Sequence, residues 1–181
     1  MPFNFIKSDL DGCVIIEPRS FGDTRGFFME SYKKSEFISN GINVEFRQDN
    51  HSFSTKNVLR GLHYQKSPSA QAKLVRVIKG SVWDVAVDIR RDSATFKKWI
   101  AVELSEKNNR MFFIPEGFAH GFLALTGEVH LMYKCSNEYA PQSDAGIIWN
   151  DPEIAISWPV DNPLLSDKDL KLPFLKDSEV F

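Results

Sequence analysis

An arginine and a histidine flank a glycine in a strand-like segment that runs from Asn57 to Gln65. Strict alternation along a strand would place Arg60 and His63 on opposite faces. A β-bulge at Gly61 would place them on the same face, and bulges favour glycine and the surroundings of active sites. A single histidine on a strand is more often a structural hydrogen-bonding residue than a base, so this segment alone does not establish catalysis.

A second histidine follows a tight turn further along the chain. The segment Pro115–His120 has the spacing Pro-x-Gly-x-x-His, which resembles the second signature of the cupins and implies that His120 points into a barrel. In metal-binding cupins this histidine joins a His-x-His motif, but the corresponding residues here are His63-Tyr64-Gln65, and His51 and His130 lie outside the pattern. Because zinc and iron sites need three or four ligands in a defined geometry, the sequence predicts a cupin without a metal.

Cations and aromatic residues form a third group of candidates. They are Arg25, Arg60, Lys73, Tyr133, Tyr139 and Lys168. An arginine binds phosphate through two parallel hydrogen bonds, and a lysine acts as a point charge. Taken one at a time, each of these residues is more typical of a solvated surface than of a site.

Short segments with alternating or β-branched residues must position these side chains. They are Val14–Glu17, Val44–Gln48, Leu74–Ile78, Val82–Ile89, Trp99–Leu104, Arg110–Ile114, His120–Leu125 and Val129–Cys135. Evenly spaced short strands separated by turn residues predict an all-β sandwich or barrel. We expect one domain over residues 1–181, with a short helix at Lys33–Asn40 that ends at Gly41 and a second helical turn at Ser166–Leu170 with Ser166 as its N-cap.

The segment Val82–Ile89 shows the alternation most clearly. Trp83 and Val85 fall on one face of the strand, and Val82 and Asp84 fall on the other. Asp84 therefore either lines a polar cavity or faces solvent on an outer surface, and the pattern supports both readings equally.

Composition and charge narrow the classes of partner. The chain has 181 residues, of which 43% are hydrophobic, and this suits one globular domain. The net charge of -2 gives no footprint for nucleic acid or an acidic membrane surface, and no apolar run is long enough to span a bilayer. Two distant cysteines, Cys13 and Cys135, do not make a disulfide framework, and the first residues lack a signal-peptide pattern. We expect a cytoplasmic protein.

Seven motifs in order carry a resemblance to a known family. They are Asp23–Glu30, Gln48-Asp49-Asn50, Arg60–Gln65, Lys73–Val77, Pro115–Gly121, Tyr133-Lys134-Cys135 and Leu165–Asp169. Each is modest alone, but the ordered set from about Phe5 to Pro173 resembles the dTDP-4-dehydrorhamnose 3,5-epimerase family. The resemblance implies a cupin jelly-roll barrel with short peripheral helices, a homodimer and no cofactor. It also implies a nucleotide-diphosphate sugar as substrate, namely dTDP-4-dehydro-6-deoxy-D-glucose on the route to dTDP-L-rhamnose and surface polysaccharide.

The same resemblance implies four catalytic residues. His63 corresponds to the family's base, and Asp169 orients it and stabilises its protonated form. Lys73 corresponds to the cation that faces the developing oxyanion. Tyr133 corresponds to the acid that returns a proton from the opposite face, because a single base would tend to return the proton to the side it came from.

Binding residues follow from the resemblance in the same way. The implied positions are Arg25, Glu30, Gln48, Asn50, Arg60, His120, Tyr139, Asp144 and Lys168. Arg25 and Glu30 correspond to positions near the nucleotide, and we expect some of the set to come from a neighbouring subunit. Asp144 stands where many members have glutamate, so its side chain is one methylene shorter.

Other functions fit parts of the pattern. The nearest are an epimerase that inverts one centre of a related nucleotide 4-keto sugar and a 3,4-ketoisomerase. A metal-dependent cupin dioxygenase and a non-catalytic sugar-binding cupin belong to different classes, and metal analysis or a His63→Ala variant would distinguish them.

Overall fold

The computed structural model describes residues 2–181, and strands dominate it. The strands are β1 (Phe3–Lys7), β2 (Val14–Pro18), β3 (Ser20–Asp23), β4 (Gly26–Met29), β5 (Gln48–Ser54), β6 (Leu59–Gln65), β7 (Lys73–Lys79), β8 (Ser81–Asp88), β9 (Trp99–Ser105), β10 (Met111–Ile114), β11 (Phe118–Ala124), β12 (Val129–Cys135) and β13 (Asp144–Gly146). The helices are α1 (Lys34–Ser39) and three short 3-10 turns at Pro141–Ser143, Asp169–Lys171 and Leu175–Asp177. Within this range, no helix has the length and apolar composition needed to cross a membrane.

Two antiparallel sheets face each other, as predicted for a jelly roll. One sheet has the strand order β1-β2-β10-β7-β12-β5, and the other has the order β13-β6-β11-β8-β9. Strands β3 and β4 form a separate two-stranded hairpin. Strands β1 and β2, and strands β8 and β9, are hairpins that stay within one sheet. The connections from β5 to β6, β6 to β7, β7 to β8 and from β9 through β12 cross from one sheet to the other.

The space between the sheets is apolar at one end and polar at the other. Along β12 the inward side chains run from Val129 and Leu131, which are fully buried, to Tyr133, which is partly exposed to the cavity. Along β7 they run from Val77 and Val75 to Lys73. The apolar end supplies the hydrophobic core that holds the sheets together, and the polar end contains the site.

A separate apolar cluster covers the outer face of the six-stranded sheet. Helix α1 buries Phe37 against Phe3 and Phe5, whose rings lie 5.5 and 5.3 Å from it at steep angles. The helix ends before Gly41, which has a φ of 87°, a conformation that glycine adopts without strain. The predicted helix and its stop are therefore confirmed.

The prediction of a strand at Val44–Gln48 was wrong. The strand begins at Gln48 and runs to Ser54, and the residues before it are irregular. Val44 and Phe46 alternate with exposed residues because they pack against the outer cluster. Side-chain packing thus produced the two-residue period without the backbone pairing that defines a strand.

Candidate active site

A cavity of about 300 Å³ opens at the polar end of the space between the sheets. Its lining residues are Gln48, Asn50, Ser52, Arg60, His63, Tyr64, Gln65, Gln71, Lys73, His120, Phe122, Tyr133, Tyr139, Asp144 and Lys168. Ten of the thirteen residues predicted from the sequence are in this set, since only Arg25, Glu30 and Asp169 are missing from it. The two sheets contribute opposite walls of the cavity.

Strand β6 has the bulge at Gly61 that the sequence left open, and the bulge brings Arg60 and His63 onto the cavity face. His63 pairs with His120 and Arg60 pairs with Phe122, so two residues of β6 lie opposite one residue of β11. Gly61 has a φ of 131°, and a Cβ at this position would lie 2.5 Å from the Cα of Gly121. Only glycine fits this close approach of two strands.

His63 and Asp169 form a hydrogen-bonded dyad. Nε2 of His63 lies 2.6 Å from Oδ1 of Asp169, and the carboxylate also accepts a 2.8 Å hydrogen bond from the hydroxyl of Ser166. Burial alone would raise the pKa of Asp169, but the hydrogen bonds from His63 and Ser166 and the nearby charges outweigh it and lower that pKa. An ionised carboxylate that accepts the hydrogen of Nε2 favours the imidazole tautomer in which Nδ1 carries no proton.

Lys73 is the most deeply buried cation of the cavity. Its side chain is 8% exposed, and its Nζ donates a 3.4 Å hydrogen bond to the backbone carbonyl of His63. Burial lowers the pKa of Lys73, while the charges of Cys135, Asp84 and Asp144 partly oppose that shift. An ammonium in so dry a position is poised to stabilise an anion that forms beside it.

Tyr133 lies on the opposite wall from His63. It stands on β12 of the six-stranded sheet, directly across from Asn50 on β5 and Val75 on β7. Burial is the main cause that raises the pKa of Tyr133, so its phenol keeps its proton. The cavity therefore has an imidazole on one wall and a protonated phenol on the other.

A second histidine–aspartate pair lies deeper in the cavity wall. Nε2 of His120 is 3.0 Å from both carboxylate oxygens of Asp84, and Asp84 is inaccessible to solvent. The alternative that placed Asp84 on an outer face was therefore wrong. Asp84 therefore fixes the orientation of the His120 ring, which lines the cavity.

The mouth of the cavity gathers the remaining predicted residues. The hydroxyl of Tyr139 donates to Oδ2 of Asp144 at 3.2 Å, and Nζ of Lys168 lies 2.5 Å from the same oxygen. Gln48 accepts a 2.8 Å hydrogen bond from the backbone N–H of Tyr139 and donates to Asn50. These contacts form a polar rim with a cation that a phosphate group could reach.

Arg25 and Glu30 lie outside the cavity of their own chain. Arg25 occupies the tip of the β3–β4 hairpin, where its side chain is 88% exposed and is paired with Asp23. Glu30 follows β4 at the base of the same hairpin. The chain alone does not bring these two residues to the site, and their binding role stays a prediction.

Several lining residues were not predicted. Ser52 and Phe122 were detectable, because they share a strand face with Asn50 and His120, respectively. Gln65 and Gln71 come from a strand end and a loop, where no period applies. Within residues 2–181, no three histidine, cysteine, aspartate or glutamate residues converge as a metal site would require.

Comparison with known proteins places this geometry in one family. The family model for dTDP-4-dehydrorhamnose 3,5-epimerase matches residues 7–177. The dTDP-4-dehydrorhamnose 3,5-epimerase of Shigella flexneri is 54% identical over 179 residues, which are 98% of this chain and 99% of that protein.

Two solved structures are informative neighbours. The dTDP-6-deoxy-D-glucose-3,5-epimerase of Legionella pneumophila, in complex with dTDP-4-keto-L-rhamnose, has a TM-score of 0.94 and 47% identity, with 98% of this chain and 95% of that chain covered. A 3'-monoepimerase from Streptomyces bikiniensis, in complex with dTDP-quinovose, has a TM-score of 0.88 and 34% identity, with 93% and 86% covered. The protein is therefore an isomerase of the cupin jelly-roll fold, and the chain belongs to the dTDP-4-dehydrorhamnose 3,5-epimerase family.

Proposed function

We propose that this protein inverts C3 and C5 of dTDP-4-dehydro-6-deoxy-D-glucose and releases dTDP-4-dehydro-L-rhamnose for the synthesis of surface polysaccharide. The observation that carries the proposal is the placement of the His63–Asp169 dyad and Tyr133 on opposite walls of one cavity. The two solved neighbours described above are epimerases that hold dTDP-4-keto-L-rhamnose and dTDP-quinovose, respectively, and both ligands are dTDP-linked 6-deoxy sugars.

The first step is removal of a proton from a carbon next to the C4 ketone. Such a proton is far less acidic than an imidazolium, so His63 removes it only if the enolate is stabilised as it forms. Lys73 supplies that stabilisation, because its ammonium is buried and its hydrogen bond to the His63 carbonyl holds it beside the base. Asp169 stabilises the positive charge that His63 acquires.

The second step is return of a proton to the other face of the same carbon. Tyr133 keeps its proton near neutral pH and stands on the wall opposite His63. Protonation by Tyr133 therefore inverts the centre. His63 then releases its proton to solvent and Tyr133 regains one from solvent, and repetition at the second carbon next to the ketone gives the L-sugar.

Inversion of a single centre is the second candidate. The specific observation that favours it is the structural match with the 3'-monoepimerase at a TM-score of 0.88. We favour two centres because the relatives named as 3,5-epimerases are more similar in sequence, at 54% and 47% identity against 34%.

The remaining cavity residues bind the substrate in this proposal. Arg60, His120 and Lys168 contact the sugar and the diphosphate, while Gln48, Asn50 and the ring of Tyr139 form the nucleotide end of the site. Arg60 is already oriented by hydrogen bonds from its guanidinium to the hydroxyl of Ser54 and the carbonyl of Phe53. No cofactor takes part in this scheme.

We also propose a homodimer in which each β3–β4 hairpin reaches the partner's site. The hairpin exposes 62% of Phe27 and 67% of Phe28, and so much exposed aromatic surface on a small element favours burial against another chain. Arg25 and Glu30 would then complete the nucleotide site of the neighbour.

Both cysteines are buried and free, which suits a reducing compartment, and we place the protein in the cytoplasm.

Proton NMR of dTDP-4-dehydro-6-deoxy-D-glucose with the purified protein in deuterated water tests the function. We expect loss of the C3 and C5 proton signals and appearance of the L-sugar. Exchange and inversion at one carbon alone would support the single-centre candidate, and no exchange at either carbon would reject both.

Mixed dimers test the shared site. An Arg25→Ala protein mixed with a His63→Ala protein should regain about a quarter of wild-type activity, because half of the dimers form one intact site. If both residues serve the same subunit's cavity, mixing restores nothing.

A further inference from the structure

The dyad acid lies on a segment with few buried contacts, residues 165–172, which we name the strap. The backbone anchors it at both ends: Leu164 exchanges hydrogen bonds with Asn57 and Leu59, and the carbonyl of Pro173 accepts one from Ile148. Between these anchors Asp169 is the buried residue, and the others of the strap are exposed or partly exposed. A segment of this kind opens at low free-energy cost unless specific contacts hold it down.

Two consecutive side chains carry the polar contacts from the strap to the barrel. Asp169 reaches His63, and Lys168 reaches Asp144 with 2.5 Å between Nζ and Oδ2. Asp144 starts strand β13, which pairs with β6 so that Asp144 lies opposite Gln65 and Gly146 lies opposite His63. The acceptor for Lys168 and the partner of Asp169 are therefore fixed on adjoining strands of one rigid sheet.

Asp144 is a better anchor than a substrate contact. Its side chain is 17% exposed and accepts hydrogen bonds from both Lys168 and Tyr139, so the carboxylate already has partners. The hydrogen bond to Asp144 is the main cause that raises the pKa of Lys168, and this keeps the ammonium charged. A carboxylate pointed at a diphosphate would also repel it.

We propose that Asp144 is a positioning residue, whose ion pair with Lys168 holds the strap so that Asp169 stays against His63. The proposal rests on the function given above, because it assumes that His63 is the base. An ammonium has three donors, so Lys168 keeps Asp144 while it binds a phosphate oxygen. Lys168 thus contacts both the diphosphate and Asp144. Binding of the nucleotide therefore stabilises the closed position of the strap, in which Asp169 orients His63.

Hydrogen exchange of the free protein tests the fastening without reference to catalysis. The reporting amides are those of Asp169, Leu170 and Lys171, which donate within the strap to the Ser166 hydroxyl, the Ser166 carbonyl and the Lys168 carbonyl. In Asp144→Asn, which removes the charge and keeps the shape, we expect these amides to exchange about five-fold faster, as loss of a partly exposed ion pair predicts.

Two matched variants serve as controls. Asp167→Asn removes an exposed carboxylate from the strap itself and should leave exchange unchanged, and Asp144→Glu keeps the charge and should retain the protection. Amides of β12 give an internal standard for the fold. Equal exchange in Asp144→Asn and wild type, or equal acceleration in Asp167→Asn, would overturn the proposal.

Kinetics of the same variants separate positioning from direct contact. With Asp144 as a positioning residue, Asp144→Asn lowers kcat about five-fold and leaves KM for the sugar nucleotide unchanged or lower, since a negative charge leaves the mouth. A raised KM with an unchanged kcat would mean that Asp144 only contacts the substrate. Should the protein lack epimerase activity altogether, the exchange experiment would still decide whether Asp144 fastens the strap.

Discussion

Nε2 of His63 lies 2.6 Å from Oδ1 of Asp169, although the two residues are 106 positions apart in the sequence. His63 is held on a bulged strand inside the barrel, and Asp169 arrives on a tail segment that crosses its mouth. The base and its orienting acid are therefore brought together only when the tail packs on the barrel, which makes the dyad a product of the complete fold.

Replacement of the dyad acid tests how much the carboxylate contributes. Asp169→Asn should lower kcat at least about 100-fold, because the amide cannot stabilise the imidazolium that forms when His63 takes a proton. Turnover of the keto-sugar nucleotide measures the effect. Asp177→Asn, in the exposed turn that follows, is the control, and a kcat within a few-fold of wild type in Asp169→Asn would remove Asp169 from the mechanism.

The pH dependence should identify Lys73 as the group that limits activity in alkaline solution. Burial lowers the pKa of Lys73 from its ordinary value of 10.5 and raises the pKa of Tyr133 from its ordinary value of 10.0. These opposite shifts favour loss of the proton from Lys73 before loss of the proton from Tyr133 as the pH rises. We expect kcat/KM, which reports the free enzyme, to fall at a pH below 10.5 as the ammonium is lost.

Lys73→Arg provides the matched comparison. A guanidinium stays protonated throughout this range, so whatever activity remains should not fall at that pH, whereas Lys66→Arg, which alters a lysine paired with Glu179 at the surface, should leave the profile unchanged. If kcat/KM of Lys73→Arg falls at the same alkaline pH as that of the wild type, the titrating group is a residue other than Lys73.

The buried His120–Asp84 pair should contribute to stability. Removal of one partner from a buried pair leaves the other without compensation, so Asp84→Asn should lower the free energy of unfolding by about 3 kcal/mol. Denaturant unfolding measures this value, with the exposed Asp92→Asn as control. Equal stability of the two variants would mean that solvent or another group replaces the carboxylate.

The sequence predicted the parts of the molecule that a local pattern determines. The alternation of β12 and β8 and the stop of α1 at Gly41 depend on residues within one element, and the structure confirms them. The bulge at Gly61, which the sequence left open, is also present. The prediction of a strand before β5 was wrong, because side-chain packing in an irregular segment and pairing in a strand both give a two-residue alternation of buried and exposed residues.

In the site, too, local patterns predicted some features, while others depend on the tertiary fold. The proximity of His63, Lys73 and Tyr133 came from the family resemblance, since no local pattern relates three strands of two sheets. The buried position of Asp84 could not be chosen over a solvent-facing one, because alternation defines two faces without saying which is inward. The strap that carries Lys168 and Asp169 has no period at all, so its place over the cavity appeared only in three dimensions.

The central claim is that a base and a proton donor act from opposite walls, and solvent exchange in a Tyr133→Phe variant tests it most directly. With the dyad and Lys73 intact, proton removal should continue, so the variant should incorporate deuterium next to the ketone and return it to the original face. We therefore predict exchange near the wild-type rate with little L-sugar formed. Equal loss of solvent exchange and of inversion would contradict the claim, because Tyr133 would then be needed for removal of the proton as well as for its return.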